Sequence, residues 1–313
     1  MKNVLVVGSS NTDMVLRVPR IPGSGETVLG SAFAMAAGGK GANQAVAAAR
    51  AGGRVTFVAR VGDDVFGGRT LASLQADGID TRFVFPTAGA PSGIALINVD
   101  DKGENSISVA SGANALLSAA DVEAAGPAFV SADILLVQLE SPLETVEAAV
   151  ARSTEAGVPV ILDPAPARPL GDDLLCRIAV LTPNEREAEF LTGVAVGDES
   201  GAREAALRLR ARGVAAAVIT LGERGAWASS PDFEGLVSAF EADPVDTTAA
   251  GDVFNGALAV ALAEREPMRE ALRFASAAAA LSVTRPGAQP SAPGRREIEA
   301  FLRTAGVRPQ RIS

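Results

Sequence analysis

Short apolar runs rich in β-branched residues recur along this chain and alternate with alanine-rich stretches of helical period. The runs cover residues 4–7, 55–61, 134–139, 158–162, 180–181 and 217–220. Helical stretches fall between them at 42–51, 65–76, 143–155, 203–212 and 252–264. A run that is apolar at every position needs cover on both faces, and intervening helices supply it. The rhythm therefore predicts an α/β fold with a mostly parallel central sheet and helices on both faces. With 313 residues, no internal repeat and no low-complexity linker, a single domain is expected over 1–313.

Two segments break the rhythm. Residues 15–36 carry Pro19, Pro22, Gly23 and Gly25 among strand-like residues, and 92–109 reads as a hairpin turning at 100–105. They are expected to form a small β-sheet lid, drawn from about 14–40 and 90–110, that can cover a ligand. Ordinary surface hairpins are the alternative. Helix signals support the rest of the layout. Ser141, Pro142 and Glu144 read as an N-cap, first-turn proline and capping-box acid. Ala42, Ala45, Val46 and Ala49 make one apolar face, which Gly52 and Gly53 end.

Composition narrows the chemistry. No apolar run approaches the length of a membrane span, and the N-terminus suits a first strand better than a secretory leader, so a cytoplasmic location is expected. A net charge of −9 without a basic run argues against nucleic-acid or membrane-surface partners. The single cysteine, Cys176, excludes an intrachain disulfide and reads as a small buried hydrophobe. The chain has no His and no Tyr, which removes Ser-His-Asp chemistry, H-E-x-x-H zinc sites and His-assisted hydride transfer. Proton transfer is left to carboxylates, lysine or water. Lysine occurs only at 2, 40 and 102. Lys40 inside Gly38-Gly39-Lys40-Gly41 is either chance or a compact point charge where a guanidinium would not fit.

In open α/β sheets ligands bind beyond the carboxyl ends of the strands. Residues just past the predicted strands include Asn11 and Asp13, Glu140, then Asn184, Glu185 and Glu187, and finally Gly222 and Gly225. The strongest local signal is Asp246-Thr247-Thr248-Ala249-Ala250-Gly251-Asp252, leading into an apolar helix. Small residues at 249–251 leave the free N–H groups of a helix start open to an anion. Asp252, in the first turn, either complements the helix dipole or serves as a base. The glycine run at 38–41 does not match G-x-x-x-x-G-K-[ST], and the first strand lacks G-x-G-x-x-G. It is read instead as backbone that a small polar ligand can approach, with Lys40 and Asn43 offering hydrogen bonds. Asn11, Asp13, Asn43, Glu140 and Asp252 together make a hydroxyl-binding inventory, and with 4% aromatics the chain suits a small sugar better than an oligosaccharide.

These segments resemble the ribokinase branch of the PfkB carbohydrate kinase family over nearly the whole length. The matching stretches are 8–13, 38–45, 138–142, 163–167, 182–185, 220–222 and 246–252, the last continued by Phe254-Asn255-Gly256. The resemblance implies a ribokinase-like core with a β-lid, a homodimer through the lids, and MgATP-dependent phosphorylation of the D-ribose 5-hydroxyl. It implies that Asn11, Asp13, Gly39, Lys40, Gly41, Asn43, Glu140 and Asp252 hold the sugar. Asp252 would be the base, with Ala249, Ala250 and Gly251 as anion cradle. Asn184, Glu187, Thr220, Gly222, Gly225, Gly251 and Ser276 would lie at the nucleotide, with Asn184 and Glu187 tied to Mg2+ and phosphate. Asp246, Thr248, Ser282, Arg285, Gly287 and Ser291 would surround an activating monovalent cation, with K+ expected. Ser276 stands where related enzymes often carry His or Asn, and Pro286 occupies a variable position in the cation loop. A kinase for another small sugar such as 2-deoxyribose, and a sugar-sensing protein without catalysis, are the rival readings.

Overall fold

The computed structural model describes residues 1–305. Thirteen strands divide between two sheets. They are β1 (Asn3–Val7), β2 (Asn11–Arg17), β3 (Ala32–Gly38), β4 (Arg54–Gly62), β5 (Asp80–Thr87), β6 (Gly93–Val99) and β7 (Asn105–Ala110). Then follow β8 (Ile134–Gln138), β9 (Val160–Asp163), β10 (Val180–Leu181), β11 (Ala217–Thr220), β12 (Ala226–Ser229) and β13 (Glu234–Val237). Nine form the central sheet in the order β13-β12-β11-β10-β9-β8-β1-β4-β5, and four form the small sheet β3-β2-β6-β7.

The central sheet is parallel from β5 across to β11, and β12 and β13 add an antiparallel edge. Alternate residues of β1 fall into two separate buried clusters, Val4 and Val6 in one and Leu5 and Val7 in the other. The sheet is thus buried on both faces, as its unbroken apolar strands require. One face packs on the helices Lys40–Arg50, Ala250–Ala263 and Met268–Ser282, and the other on Leu143–Glu155 and Glu199–Ala211.

The small sheet grows directly from the carboxyl end of β1. Asn11 opens β2 and pairs with Gly38 at the end of β3 and Gly93 at the start of β6. These three residues therefore mark where the small sheet meets the body. Strand β3 in turn runs through Gly39 into the helix Lys40–Arg50. Asn11 and Asp13, just past the first predicted strand, lie on β2.

Three local expectations are corrected. The helix after β8 begins at Leu143 with Pro142 at its cap, and the Ser141 hydroxyl is buried without a partner, so no capping box forms. The proline sets the backbone at the cap position, one residue later than the sequence signal implied. The helix expected from residue 252 starts at Ala250. Cys176 is exposed, because it ends the short helix Asp172–Leu175 with its Sγ 3.4 Å from the Asp173 carbonyl.

Candidate active site

The carboxyl ends of β1, β8 and β9 bring Ser9, Glu140 and Asp163 to one edge of the sheet, beside the first turn of the helix Lys40–Arg50. That helix packs against Ala250–Ala263 at glycine: a Cβ on Gly256 would stand 2.7 Å from the Ala47 methyl and the Gln44 carbonyl. Close packing of the two helices puts Asp252 within reach of Asn43 and Gln44. Asn43 Nδ2 donates to Asp252 Oδ2 at 2.9 Å, and Gln44 Nε2 to Asp252 Oδ1 at 3.0 Å. Asp252 is 5% exposed and Asn43 7%.

Glu140 Oε2 accepts from the Lys40 backbone N–H at 3.0 Å and from the Ser9 hydroxyl at 2.5 Å, while its Oε1 has no donor among the described residues. Asp13 accepts no protein hydrogen bond among those residues on either oxygen, and Asn43 Oδ1 is buried and unpartnered. The Asn11 amide is oriented by Asn114, whose Nδ2 donates to Asn11 Oδ1 at 2.7 Å and whose Oδ1 accepts from Ser10 N at 2.9 Å. Asn11 Nδ2 is left as the free donor.

Electrostatics are dominated by acid. Burial, followed by the charges of Glu140 and Asp252, pushes the Asp13 carboxyl up to about 6. Burial, against the pull of Lys40, raises Asp163 to about 7. Burial alone would lower the Lys40 ammonium, but Asp163, Asp252, Glu140 and Glu187 together push it above its ordinary value. Its Nζ lies 3.8 Å from Asp163 Oδ2.

Ala249 adopts a left-handed conformation, φ 60, that turns the chain sharply into the helix Ala250–Ala263. The Ala250 N–H turns back to Thr247 O at 3.3 Å, whereas those of Ala249, Gly251 and Asp252 have no acceptor among the described residues. A Cβ on Gly251 would meet nothing within 4 Å, so the chain is open on that side of the helix start. This is the arrangement an oxyanion needs.

Asn184 and Glu187 form a reciprocal capping box on the helix Glu185–Thr192, with Glu187 N to Asn184 Oδ1 at 2.9 Å and Asn184 N to Glu187 Oε2 at 2.8 Å. Asn184 also bridges to Thr220 in parallel fashion, which draws it beside the turn 220–225. Glu187 acts electrostatically on both Lys40 and Asp163, so the expected nucleotide group borders the expected sugar group. Ser276 is buried on the helix Met268–Ser282, and no hydrogen bond ties it to the turn 220–225 among the described residues.

Asp246 joins two loops. Its Oδ1 accepts from Thr248 N at 2.9 Å and its Oδ2 from Gly287 N at 2.8 Å, while Val245 N and Asp246 N donate to Val283 O at 2.7 and 3.1 Å. Burial works against its ionised form, but the hydrogen bonds from Thr248 and Gly287 outweigh it and hold the Asp246 carboxyl below its usual range. Carbonyls of Thr248, Arg285 and Gly287 accept no hydrogen bond among the described residues. The side chains of Ser282, Arg285 and Ser291 are engaged elsewhere, with Ala279 O, Glu297 and Ala288 O.

Sequence reasoning passed over Gln44, Asn114, Gln138 and Asp163 as site residues. Asp163 carried a signal, a charged residue closing the apolar run 160–162; so did Gln44, a polar residue amid the small residues of its helix. Asn114 carried none.

The pfkB family carbohydrate kinase profile matches residues 1–295, and the chain belongs to that family. It is 45% identical over 304 residues to the ribokinase of Haemophilus influenzae, covering 97% of this chain and 99% of the relative. It is 37% identical over 301 residues to the deoxyribokinase of Salmonella typhimurium, covering 96% and 98%. Among solved structures, Arabidopsis thaliana ribokinase complexed with ribose and ATP superposes with a TM-score of 0.88 at 34% identity, covering 96% of this chain and 98% of that one. The protein is thus a carbohydrate kinase, a phosphotransferase with a ribokinase-like α/β fold.

Proposed function

We propose that this kinase transfers the γ-phosphoryl group of ATP to the 5-hydroxyl of D-ribose, giving ribose 5-phosphate and ADP. The observation that carries the reading is a set of oxygens without protein donors, on Asp13, Glu140 and Asn43, gathered around Asp252 beside the open N–H groups of Gly251 and Asp252. Asn11 Nδ2 and Lys40 Nζ add donors for sugar oxygens. Asp13, with both oxygens free, can accept from two adjacent hydroxyls, which favours ribose over its 2-deoxy form.

In this reading Asp252 takes the proton of the 5-hydroxyl as that oxygen bonds to the γ-phosphorus and the bond to the ADP oxygen breaks. A carboxylate is a weak base for an alcohol, so positioning supplies much of the rate and proton transfer comes late. The N–H groups at 249, 251 and 252 receive the transferring phosphoryl oxygens. Thr220, Gly222, Gly225 and Ser276 are assigned to the nucleotide.

Asn184 and Glu187 are the candidates to hold Mg2+. No group of three acidic, His or Cys side chains able to bind a metal occurs among the described residues. That suits an ion carried in on phosphates, which needs only one or two protein carboxylates. Mg2+ would supply charge neutralisation for the phosphates. Asp246 and the unpartnered carbonyls of Thr248, Arg285 and Gly287 fit a monovalent cation, K+ in our reading, with Ser282 and Ser291 bordering it.

The small sheet is assigned as a lid over the sugar. Register places Met14, Met35 and Leu96 on the face opposite Asp13, and Phe33, Met35 and Leu96 are 60%, 46% and 53% exposed. That apolar face supports a homodimer formed through the lids. With ATP as substrate, we place the protein in the cytoplasm, and no helix among the described residues is long and apolar enough to cross a membrane.

The test is a panel of small sugars assayed for ADP release with K+ and with Na+, on the wild type and Asp252→Asn. Asp252→Asn is expected to lose roughly 10²–10⁴ in kcat while still binding ribose. Near-normal turnover by that variant removes the base assignment, and a kcat/KM for 2-deoxyribose above that for ribose shifts the substrate to the deoxy sugar.

A further inference from the structure

Behind Asp252 lies a buried amide with no solvent exposure and every polar atom committed. Gln44 Nε2 donates to Asp252 Oδ1 at 3.0 Å and to Asp163 Oδ2 at 2.8 Å. Its Oε1 accepts from Gln138 Nε2 at 2.6 Å, which fixes the direction the amide faces. Gln44 is 0% exposed and Gln138 1%. Two buried carboxylates thus share one NH2 group, each taking one of its hydrogens.

We infer that Gln44 is a positioning residue for the phosphoryl-transfer step, holding Asp252 in the orientation and charge state that accepts the sugar proton. The inference rests on the reading of Asp252 as the base. Asn43 and Gln44, consecutive on one helix, each take one oxygen of Asp252, and together they set the plane of the carboxylate. A carboxylate offers about four lone-pair directions; two are fixed by these amides, and the remainder face the ligand space.

Charge adds a second requirement. The charge of Asp252 reaches Asp163 at the end of β9 and Asp13 on β2, while Glu140 acts on Asp13 and Lys40, and Glu187 on Lys40 and Asp163. Lys40 is the cation among these groups, and its Nζ lies at 3.8 Å from the same Asp163 oxygen that Gln44 holds. Remove the Gln44 amide, and Asp163 and Asp252 lose the one donor group they share. Ionising both then becomes harder.

The experiment measures kcat, the KM for ribose and the pH dependence of kcat for Gln44→Met, Gln44→Glu and Asp252→Asn, with ribose binding followed by calorimetry. Gln44→Met keeps the volume and removes the donors. It is expected to lower kcat roughly tenfold to a hundredfold, to leave the KM for ribose within about threefold, and to move the acid limb of kcat up by about one pH unit. Gln44→Glu keeps the shape, substitutes a third carboxylate, and should move the limb further the same way. Adding Asp163→Asn to Gln44→Met removes the opposing charge and should bring the limb back down.

Two results overturn the role of Gln44 while leaving the base in place, provided Asp252→Asn is inactive. One is a wild-type kcat and pH profile in Gln44→Met. The other is a loss of ribose binding in both Gln44 variants with an unmoved acid limb, which marks Gln44 as packing alone. An active Asp252→Asn overturns the base reading itself, and the inference about Gln44 goes with it.

Discussion

Lowering the pH from about 7.5 to about 5 is expected to weaken ribose binding about tenfold through Asp13. Burial, reinforced by Glu140 and Asp252, raises this carboxyl from 3.8 to about 6. A raised carboxyl keeps its proton to higher pH, so Asp13 is a carboxylate above that value and a neutral acid below it. The ionised form accepts hydroxyl protons on both oxygens; the acid must spend one oxygen as a donor. At a pH one unit below its midpoint, about one molecule in eleven retains the competent form, and the apparent dissociation constant rises by the inverse of that fraction. Calorimetric titration with ribose in the absence of nucleotide isolates this step from the chemistry. Asp163, raised to about 7 by burial, titrates nearby and is retained in Asp13→Asn. That variant should bind ribose weakly at every pH, with a flat profile. An affinity independent of pH in the wild type, or an undiminished fall in Asp13→Asn, would refute the reasoning.

Further outcomes follow from the same geometry. Gly251→Ala should leave Tm unchanged, since its methyl meets nothing within 4 Å, yet lower kcat by roughly tenfold or more by filling the open side of the helix start. Gly256→Ala should behave oppositely: its methyl falls 2.7 Å from Ala47 Cβ, and overpacking there costs about 1–3 kcal/mol, read as a lowered Tm. Asn114→Ala releases the Asn11 amide and should raise the KM for ribose by roughly tenfold, leaving the KM for ATP alone. Charging the exposed lid face by Phe33→Glu with Leu96→Lys should convert a dimer to a monomer in sedimentation; an unchanged mass places the interface elsewhere.

The parts of the fold that showed in the sequence are those whose burial is complete. Strands β1 and β8 are apolar at nearly every position because helices cover both faces, and that double cover leaves no position where a polar side chain could reach water. Strands β5 and β13 were missed because they are half-exposed, mixed in polarity and, in β5, contain Pro86, and β12 was missed although buried throughout, because its four residues hold two alanines and no β-branched side chain. Candidate site residues at strand ends stood out for a topological reason: Glu140 and Asn184 lie where the chain leaves the carboxyl edge of the sheet. Gln44 and Asn114 were not, because what they do depends on partners at 252 and 11, remote in sequence. Ser141 carried a cap signal that the structure does not use, since Pro142 takes the cap position itself.

The two small-residue stretches illustrate why one sequence cue can hide two causes. At 38–41 the glycines suggested backbone laid open to a ligand, but each missing side chain is required by the protein itself. A Cβ on Gly38 would collide with the Asp13 carboxylate, one on Gly39 would stand 2.6 Å from Asn11 N, and one on Gly41 would stand 2.6 Å from Ser9 N. Gly39 also holds φ 87, which a side chain would resist. They let the helix Lys40–Arg50 start hard against the chain at 8–13, so that Lys40 N reaches Glu140 and Asn43 reaches Asp252. At Gly251 nothing in the protein occupies the space a side chain would take. Packing accounts for the first stretch but not the second, so the fold alone gives no reason for a glycine at 251. An anion seated on the free N–H groups does give one.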